Sequence, residues 1–274
     1  MAKHITTRLY FLELLAYWEG RVTAGAIAEQ FGLSRQQGQA TVNEYQLLAP
    51  DNLIYDSSIK AHVPTPTFTC VATGGRVDEY LHWLKTGQLQ PVIAAGVEAL
   101  ALPSRCISAP VMRALVAAIK GQLRVDVDYV SLSNPNDEGR IIVPHSFVNT
   151  GLRWHLRAYC EKSSQYRDFV LSRFRGIPEL LDKSPQSAAQ DVGWITQVAV
   201  KFKADSRLND QKRAVIEQDY QMVNGELVIN TRGCLVNYLL QELKINTKIL
   251  DGTPEAQQLM CVNLSDIKPW LFDS

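Results

Sequence analysis

No apolar run in these 274 residues approaches the roughly 18 that a membrane span requires, so no membrane partner is expected. The opening residues 1–8 include Lys3, His4 and Arg8 and lack the apolar core of a secretory signal, which makes a cytoplasmic location the expectation. Neither sign of charge is in excess, with 28 Lys and Arg against 28 Asp and Glu. That balance excludes capture of polyanions by bulk electrostatics, and any nucleic-acid contact must come from a local surface. Cysteine is sparse and scattered: Cys70, Cys106, Cys160, Cys234 and Cys261 form no CxxC and no Cys/His cluster at zinc-ligand spacing. The thiols are therefore expected to be reduced and mostly buried. Walker, GxGxxG and GxSxG motifs are all absent, and no cofactor, metal site or catalytic residue is predicted. What remains is ordinary globular composition, 46% hydrophobic and 20% charged, in a chain long enough for two or three domains with cores of their own.

Near the N-terminus, Ile5, Leu9, Leu12 and Ala16 recur at helical spacing, Phe11, Leu15 and Trp18 widen the stripe, and Gly20 ends it. Thr23 is placed to cap a second helix that stops at Gly32, and Ser34 to cap a third that runs to about residue 49. Two short helices joined by a tight glycine turn form a helix-turn-helix pattern. Residues 53–55 and 59–63, separated by Asp56-Ser57-Ser58 and closed by Pro64 and Pro66, read as a hairpin. A winged helix-turn-helix over 1–66 is the result.

At about 100° per residue, the third helix turns Gly38, Thr41, Tyr45 and Leu48 to one side and Arg35, Gln36, Gln39, Asn43 and Gln46 to the other. Arginine forks match a guanine edge, glutamine and asparagine amides match adenine, and the N-terminal part of such a helix enters the major groove. Arg35, Gln36, Gln39 and Asn43 are thus the base-reading candidates, with Ser34 at the head of the helix as a further DNA-binding residue and Arg21 and Lys60 as candidate phosphate contacts. The competing reading is a solvated polar face on a helical bundle. Residues 1–64 hold five basic against six acidic residues, so one copy would bind weakly and two copies on adjacent half-sites are expected.

Residues 67–120 read as a helical linker module, with helices near 77–85 and 111–120 and an apolar segment at 97–102. Beyond it, Leu123, Val125, Val127, Tyr129 and Ser131 alternate with Arg124, Asp126 and Asp128 as a half-buried strand. Further strands at 140–143, 153–160 and 166–171 make 121–183 a small barrel or strongly bent sheet. Alternation in the strand over 153–160 puts Trp154, Leu156, Ala158 and Cys160 on the core face and Arg153, His155, Arg157 and Tyr159 on the other. Two guanidinium groups, an imidazole and a phenol suit an anionic and aromatic ligand such as a nucleotide or oligonucleotide. From the residues alone the alternative is that Arg157 and Arg173 form plain salt bridges with Asp126, Asp128 or Asp168. Residues 191–274 alternate strands at 194–202, 220–223, 226–230 and 259–262 with helices at 208–218 and 234–243, an α+β pattern of ferredoxin-like type.

Val143-Pro144-His145, the run Trp154 to Cys160, and Phe169-Val170-Leu171-Ser172-Arg173-Phe174 resemble three parts of the WYL domain of bacterial transcriptional regulators: its Pro-Tyr/His step, its Trp-Tyr-Leu strand and its Phe-Arg-Leu-Asp-Arg-Ile closing strand. His155 stands where that signature has its middle Tyr, Val170 where it has its first Arg, and Ser172 where it has Asp. With a winged helix before it and an α+β extension after it, the chain is similar to the stand-alone repressors of phage-defence islands, the BrxR/CapW type. The resemblance implies an Sm/SH3-like β-barrel in the middle, a C-terminal extension serving dimerisation, and a homodimer on an inverted-repeat operator. It also implies a ligand pocket in which Ser131, His145, Arg157 and Arg173 read an anion, with Tyr129, His155 and Tyr159 beside them. The expected function is a repressor of double-stranded palindromic DNA that answers to an anionic effector and controls a phage-defence system. A transcriptional activator has the same parts, and a nucleotide-acting enzyme with His145 as general base is the remaining rival.

Overall fold

The computed structural model describes residues 6–89, 105–133, 135, 138–246 and 253–272, so the apolar segment expected at 97–102 lies outside it. The chain divides into two compact units, Met1–Pro144 with Val170–Lys183, and His145–Phe169 with Ser184–Ser274.

The first unit begins with α1 (Thr7–Glu19), α2 (Ala24–Phe31) and α3 (Arg35–Leu48), each opened by a hydroxyl cap: Thr6 accepts from the amide of Leu9, Thr23 from that of Ala26 and Ser34 from that of Gln37. Gly20 and Gly32 end α1 and α2 in the left-handed region, at φ 76° and 63°. Strands β1 (Leu53–Asp56) and β2 (Ala61–Pro64) pair with Tyr55 opposite His62 and form the wing, and Val22 bridges to His62 as a third rung. Leu12, Leu15, Ile27, Val42, Tyr45 and Leu53 meet in one core. Helices α2 and α3 cross so closely that a Cβ on Gly38 would stand 2.2 Å from the carbonyl oxygen of Ala24, so only glycine fits there. The helix-turn-helix and wing read from the sequence are therefore present.

Helices α4 (Val77–Thr86) and α5 (Ala109–Gly121) follow, then strands β3 (Leu123–Tyr129) and β4 (Glu138–Asn149). Strand β4 runs on into the second unit, where β5 (Trp154–Cys160) and β6 (Gln165–Val170) continue the chain, before β7 (Phe174–Lys183) returns it to the first. In the first unit β3 is antiparallel to β4, with Val127 opposite Arg140, and to β7, with Val125 opposite Leu180. The strand order β6-β5-β4-β3-β7 is an open row. Of the small barrel or strongly bent sheet expected here, the described residues give a sheet and no closed barrel: no pairing joins the end strands β6 and β7, which a 3-10 turn at Leu171–Arg173 connects. Closure needs the end strands to hydrogen-bond to each other.

After Ser184 the second unit contains α6 (Val192–Ile195), β8 (Gln197–Ala204), α7 (Asp210–Asp219), β9 (Leu227–Arg232), α8 (Val236–Glu242), α9 (Pro254–Gln257), β10 (Leu259–Cys261) and α10 (Leu264–Ile267). The sheet order is β10-β8-β9, antiparallel throughout, with Val198, Val200 and Phe202 of β8 packed against Val236, Leu240 and Ile267. Two expected strand assignments change. Trp194 lies on a helical turn, because the Asp191 carboxylate accepts its amide. The strand expected at 220–223 is a turn, since Gln221 and Asn224 hold φ of 49° and 53°, leaving only a bridge between Val223 and Glu226. The described residues thus supply three strands in this sheet where a ferredoxin-like sheet has four. Cys160 is buried, Cys106 exposed and the other three cysteines lie between, so the expectation of mostly buried thiols fits Cys160 alone.

Candidate functional site

Two regions carry the candidate side chains. On α3, Gly38, Thr41, Val42 and Tyr45 are buried, which leaves Arg35, Gln36, Gln39 and Asn43 exposed along the opposite side. Ser34 forms a capping box, its hydroxyl accepting from the Gln37 amide at 3.2 Å while its own amide donates to Gln37 Oε1 at 2.9 Å. That fixes the first turn, where Arg35 and Gln36 project. Gln39 Nε2 donates to Asn43 Oδ1 at 3.0 Å, so these two amides are already ordered with respect to each other. Lys60 is exposed at the end of the wing turn, and Arg21 is exposed between α1 and α2. Asp56 holds that turn, accepting from the amide and hydroxyl of Ser58 at 2.9 and 2.6 Å.

Beneath α3 lies a buried carboxylate that the sequence reading counted only as one acidic residue among six. Glu13, fully buried in α1, accepts from the Tyr45 hydroxyl at 2.7 Å and from the amides of Val71, Ala72 and Thr73 at 2.9, 3.0 and 2.7 Å. Asn52 extends the network, donating to the Tyr45 hydroxyl and to the Thr69 carbonyl. Burial, reinforced by Glu13, raises the Tyr45 phenol far above its ordinary value and keeps it a donor. The network ties α3 to the segment over 69–73, and its only signal in the sequence is a glutamate on the apolar stripe of the first helix.

The second region lies within the second unit. Arg157, on β5, donates from Nε to Asp191 Oδ2 at 2.7 Å and from an η nitrogen to Asp191 Oδ1 at 3.0 Å, a two-point clamp. His145 Nε2 meets the same Oδ2 at 3.2 Å, and its Nδ1 lies 2.9 Å from Ser146 Oγ. Asp168 approaches Arg157 at 3.3 Å and accepts from the Tyr238 hydroxyl at 3.1 Å. Burial alone would raise the Asp191 carboxyl, yet the hydrogen bonds from His145 and Arg157 outweigh it and hold it well below the usual carboxylate range. For Asp168 burial prevails over Arg157 and the pKa rises. Burial also pushes the neighbouring Cys234 thiol up to about 12, so it stays protonated.

Aromatic rings enclose this cluster: Trp194 and Tyr166 stand edge-on to His145 at 5.2 and 5.8 Å, and Tyr159 meets Tyr166 at 5.2 Å. His155 is buried against Tyr238, ring centroids 5.0 Å apart, at the wall of a cavity of about 410 Å³ that also touches Arg153, Gln241 and Glu242. Both faces of β5 are therefore largely covered, and Asp191, Asp168 and Tyr238 lie over the row that alternation sets opposite the core face. Asp191, Tyr238 and Trp194 escaped the sequence reading. They stand 34 or more positions from Arg157, and no local pattern marks them.

In the first unit, the Tyr129 hydroxyl accepts the amide of Val170 at 3.0 Å, and its ring lies beneath the Arg140 guanidinium. Ser131 Oγ lies 3.2 Å from Ser133 Oγ. Arg173 is half-buried on the 3-10 turn, not on a closing strand, and its carbonyl accepts from Val130. Among the expected pocket residues, His145, His155, Arg157 and Tyr159 thus belong to one unit, and Tyr129, Ser131 and Arg173 to the other. Among the described residues no group of three or more His, Cys, Asp or Glu has the arrangement of a metal site.

Comparison with known proteins matches three family models in order: the BrxR transcriptional regulator winged helix-turn-helix domain over residues 4–86, the WYL domain over 110–178, and the BrxR transcriptional regulator C-terminal dimerization domain over 197–267. A DNA-binding transcriptional repressor CapW of Escherichia coli is 34% identical over 270 residues, covering 95% of this chain and 89% of that protein. The CapW repressor of Pseudomonas aeruginosa is 32% identical, covering 95% and 90%. That of Stenotrophomonas maltophilia is 28% identical, covering 96% and 91%.

Proposed function

The chain belongs to the family of BrxR and CapW transcriptional regulators, and on that premise we propose that it is a homodimeric repressor that reads an inverted-repeat operator through α3 and the wing. The observation that carries the reading is the exposed row Arg35, Gln36, Gln39 and Asn43 on a helix whose opposite face is locked by Gly38, Thr41 and Tyr45. These side chains contact base edges in the major groove, while Arg21 and Lys60 meet phosphates and Ser34 faces the DNA at the start of the same helix. The first 64 residues carry one net negative charge, so affinity depends on two copies engaging adjacent half-sites.

The same reading assigns 1–66 to DNA binding, 67–120 to a linker, 121–183 to ligand sensing and 191–274 to a ferredoxin-like dimerisation extension, in a cytoplasmic, non-enzymatic regulator of a phage-defence system. Its effector is an anion, a nucleotide or oligonucleotide, held within the second unit by His145 and Arg157 with His155 and Tyr159 beside them. Support comes from the way His145 and Arg157 already grip the two oxygens of the Asp191 carboxylate. An incoming phosphate that takes those donors displaces Asp191, and the segment leading to β8 moves with it. Such a ligand shifts DNA binding only by as much as it favours one state over the other.

The test is duplex binding by fluorescence anisotropy at several salt concentrations. Arg35→Ala and Gln39→Ala lower affinity for the operator toward that for random duplex while the dimer persists; unchanged operator affinity refutes the assignment of α3. His145→Ala is expected to keep basal operator binding and lose the response to added oligonucleotide.

A further inference from the structure

The sheet of the second unit ends differently on its two sides. Its β10 side is kept short: β10 has three residues, and where it stops Asn263 takes its place beside β8, its Nδ2 donating to the Ala199 carbonyl and its Oδ1 accepting the Lys201 amide, each at 2.9 Å. The β9 side is not. An Asn224-Gly225 turn, the dipeptide that favours tight hairpins, begins an outer strand beside β9. That strand stops after the single Val223 to Glu226 bridge, because Gln221 sits at φ 49° and turns the chain away. Among the described residues no other backbone pairs with the outer edge of β9.

Exposed edges are ordinarily blunted by proline, lysine, a bulge or shortness. Strand β9, Leu-Val-Ile-Asn-Thr-Arg, has six residues in unbroken register with β8, no proline and no lysine. Its one charge, Arg232, lies at its end with the guanidinium 4.2 Å over the Trp194 ring. Val228 is 46% exposed on the strand and Val223 73% exposed beside its start. An edge so apolar and so unprotected calls for a partner strand. It also lies inside the stretch, residues 197–267, that matches a dimerization domain.

We propose that the outer edge of β9 is the dimerisation seam, pairing antiparallel with β9 of a second copy so that two three-stranded sheets join into one of six strands. An antiparallel pair of identical strands is self-complementary under a two-fold axis, as an isologous interface requires. Side-chain alternation demands that one residue face its own copy across that axis. The proposal rests on the homodimer reading above and says which surface makes it.

The experiment uses the full chain. Sedimentation over a concentration series measures the dimer dissociation constant of the unchanged protein and of the double variant Val228→Lys, Asn230→Lys, which sets like charges across the seam. Single variants Val228→Cys and Asn230→Cys are oxidised in parallel and compared with the unchanged protein, whose own five cysteines set the background. A dimer dissociation constant at least about tenfold higher in the lysine variant with its circular dichroism unchanged, together with a disulfide-linked dimer from one cysteine variant, is the expected result. An unchanged dissociation constant and no new cross-link, in a protein that is a dimer, overturn the seam and leave the dimer standing. A protein that sediments as a monomer throughout overturns the dimer itself.

Discussion

Replacing Asp191 with alanine removes the carboxylate on which His145 and Arg157 converge, and the structure sets the scale of the loss. Asp191 and Arg157 are 1% and 8% exposed, so water cannot replace the missing partner without opening the site. Stranding one member of a buried ion pair costs about 3–5 kcal/mol. Here Arg157 keeps Asp168 at 3.3 Å, which places the expected loss near the lower end, about 3 kcal/mol. At roughly 2–8 °C per kcal/mol, the melting temperature falls by on the order of 10 °C. Urea unfolding followed by circular dichroism reads the difference, and a double-mutant cycle with Arg157→Ala isolates the pairwise part, expected at about 1 kcal/mol or more. The pH dependence supplies an independent check. Because the folded Asp191 pKa is depressed, its contribution is complete above the ordinary carboxylate range and is lost as pH falls through the lower folded value. Wild type and Asp191→Asn therefore converge in strong acid. A loss below about 1 kcal/mol at neutral pH refutes the reasoning, since it means that the clamp holds nothing in place.

Three further outcomes follow from the same geometry. Gly38→Ala forces a Cβ against the Ala24 carbonyl, where neither backbone can give, and costs at least about 1–3 kcal/mol in thermal unfolding with operator affinity reduced in step. Glu13→Ala strands the amides of Val71, Ala72 and Thr73 and the Tyr45 hydroxyl, and loses about 3 kcal/mol or more by urea unfolding, whereas a mere surface glutamate loses almost nothing. Burial and then Glu79 push the Tyr10 phenol up to about 12, so its share of stability is present below pH 10 and is lost as pH rises from 10 toward 12; Tyr10→Phe flattens that limb in a pH series of melts.

The first 64 residues were the most legible part of the chain, because their signals are local. A capping hydroxyl, a left-handed glycine and a polar stripe each act within a few residues, and Thr23, Gly32 and Ser34 occupy the positions their chemistry predicts. The strands of the middle region were legible as strands, but their arrangement was not. Whether β6 and β7 close a barrel depends on pairing between strands at opposite ends of the row, and an alternating pattern reads the same in an open sheet. The row Arg153, His155, Arg157 and Tyr159 on β5 was legible as one face, but alternation sorts side chains into two faces and cannot tell what later covers them. Asp168 was visible only as one of three possible partners for Arg157, and Asp191 was not visible at all. The strand expected at 220–223 has the right residues, and the left-handed backbone of Gln221 undoes it.

The central claim is that α3, presented in pairs, reads one DNA sequence. Binding of the purified chain to fluorescent duplexes tiling the DNA upstream of its own gene, with nonspecific competitor and a salt series, tests it most directly. The account predicts saturable binding to one tile at an inverted repeat, weakening steeply with salt and lost when either half-site is scrambled. Equal affinity for every tile, or full affinity for a single half-site, contradicts it.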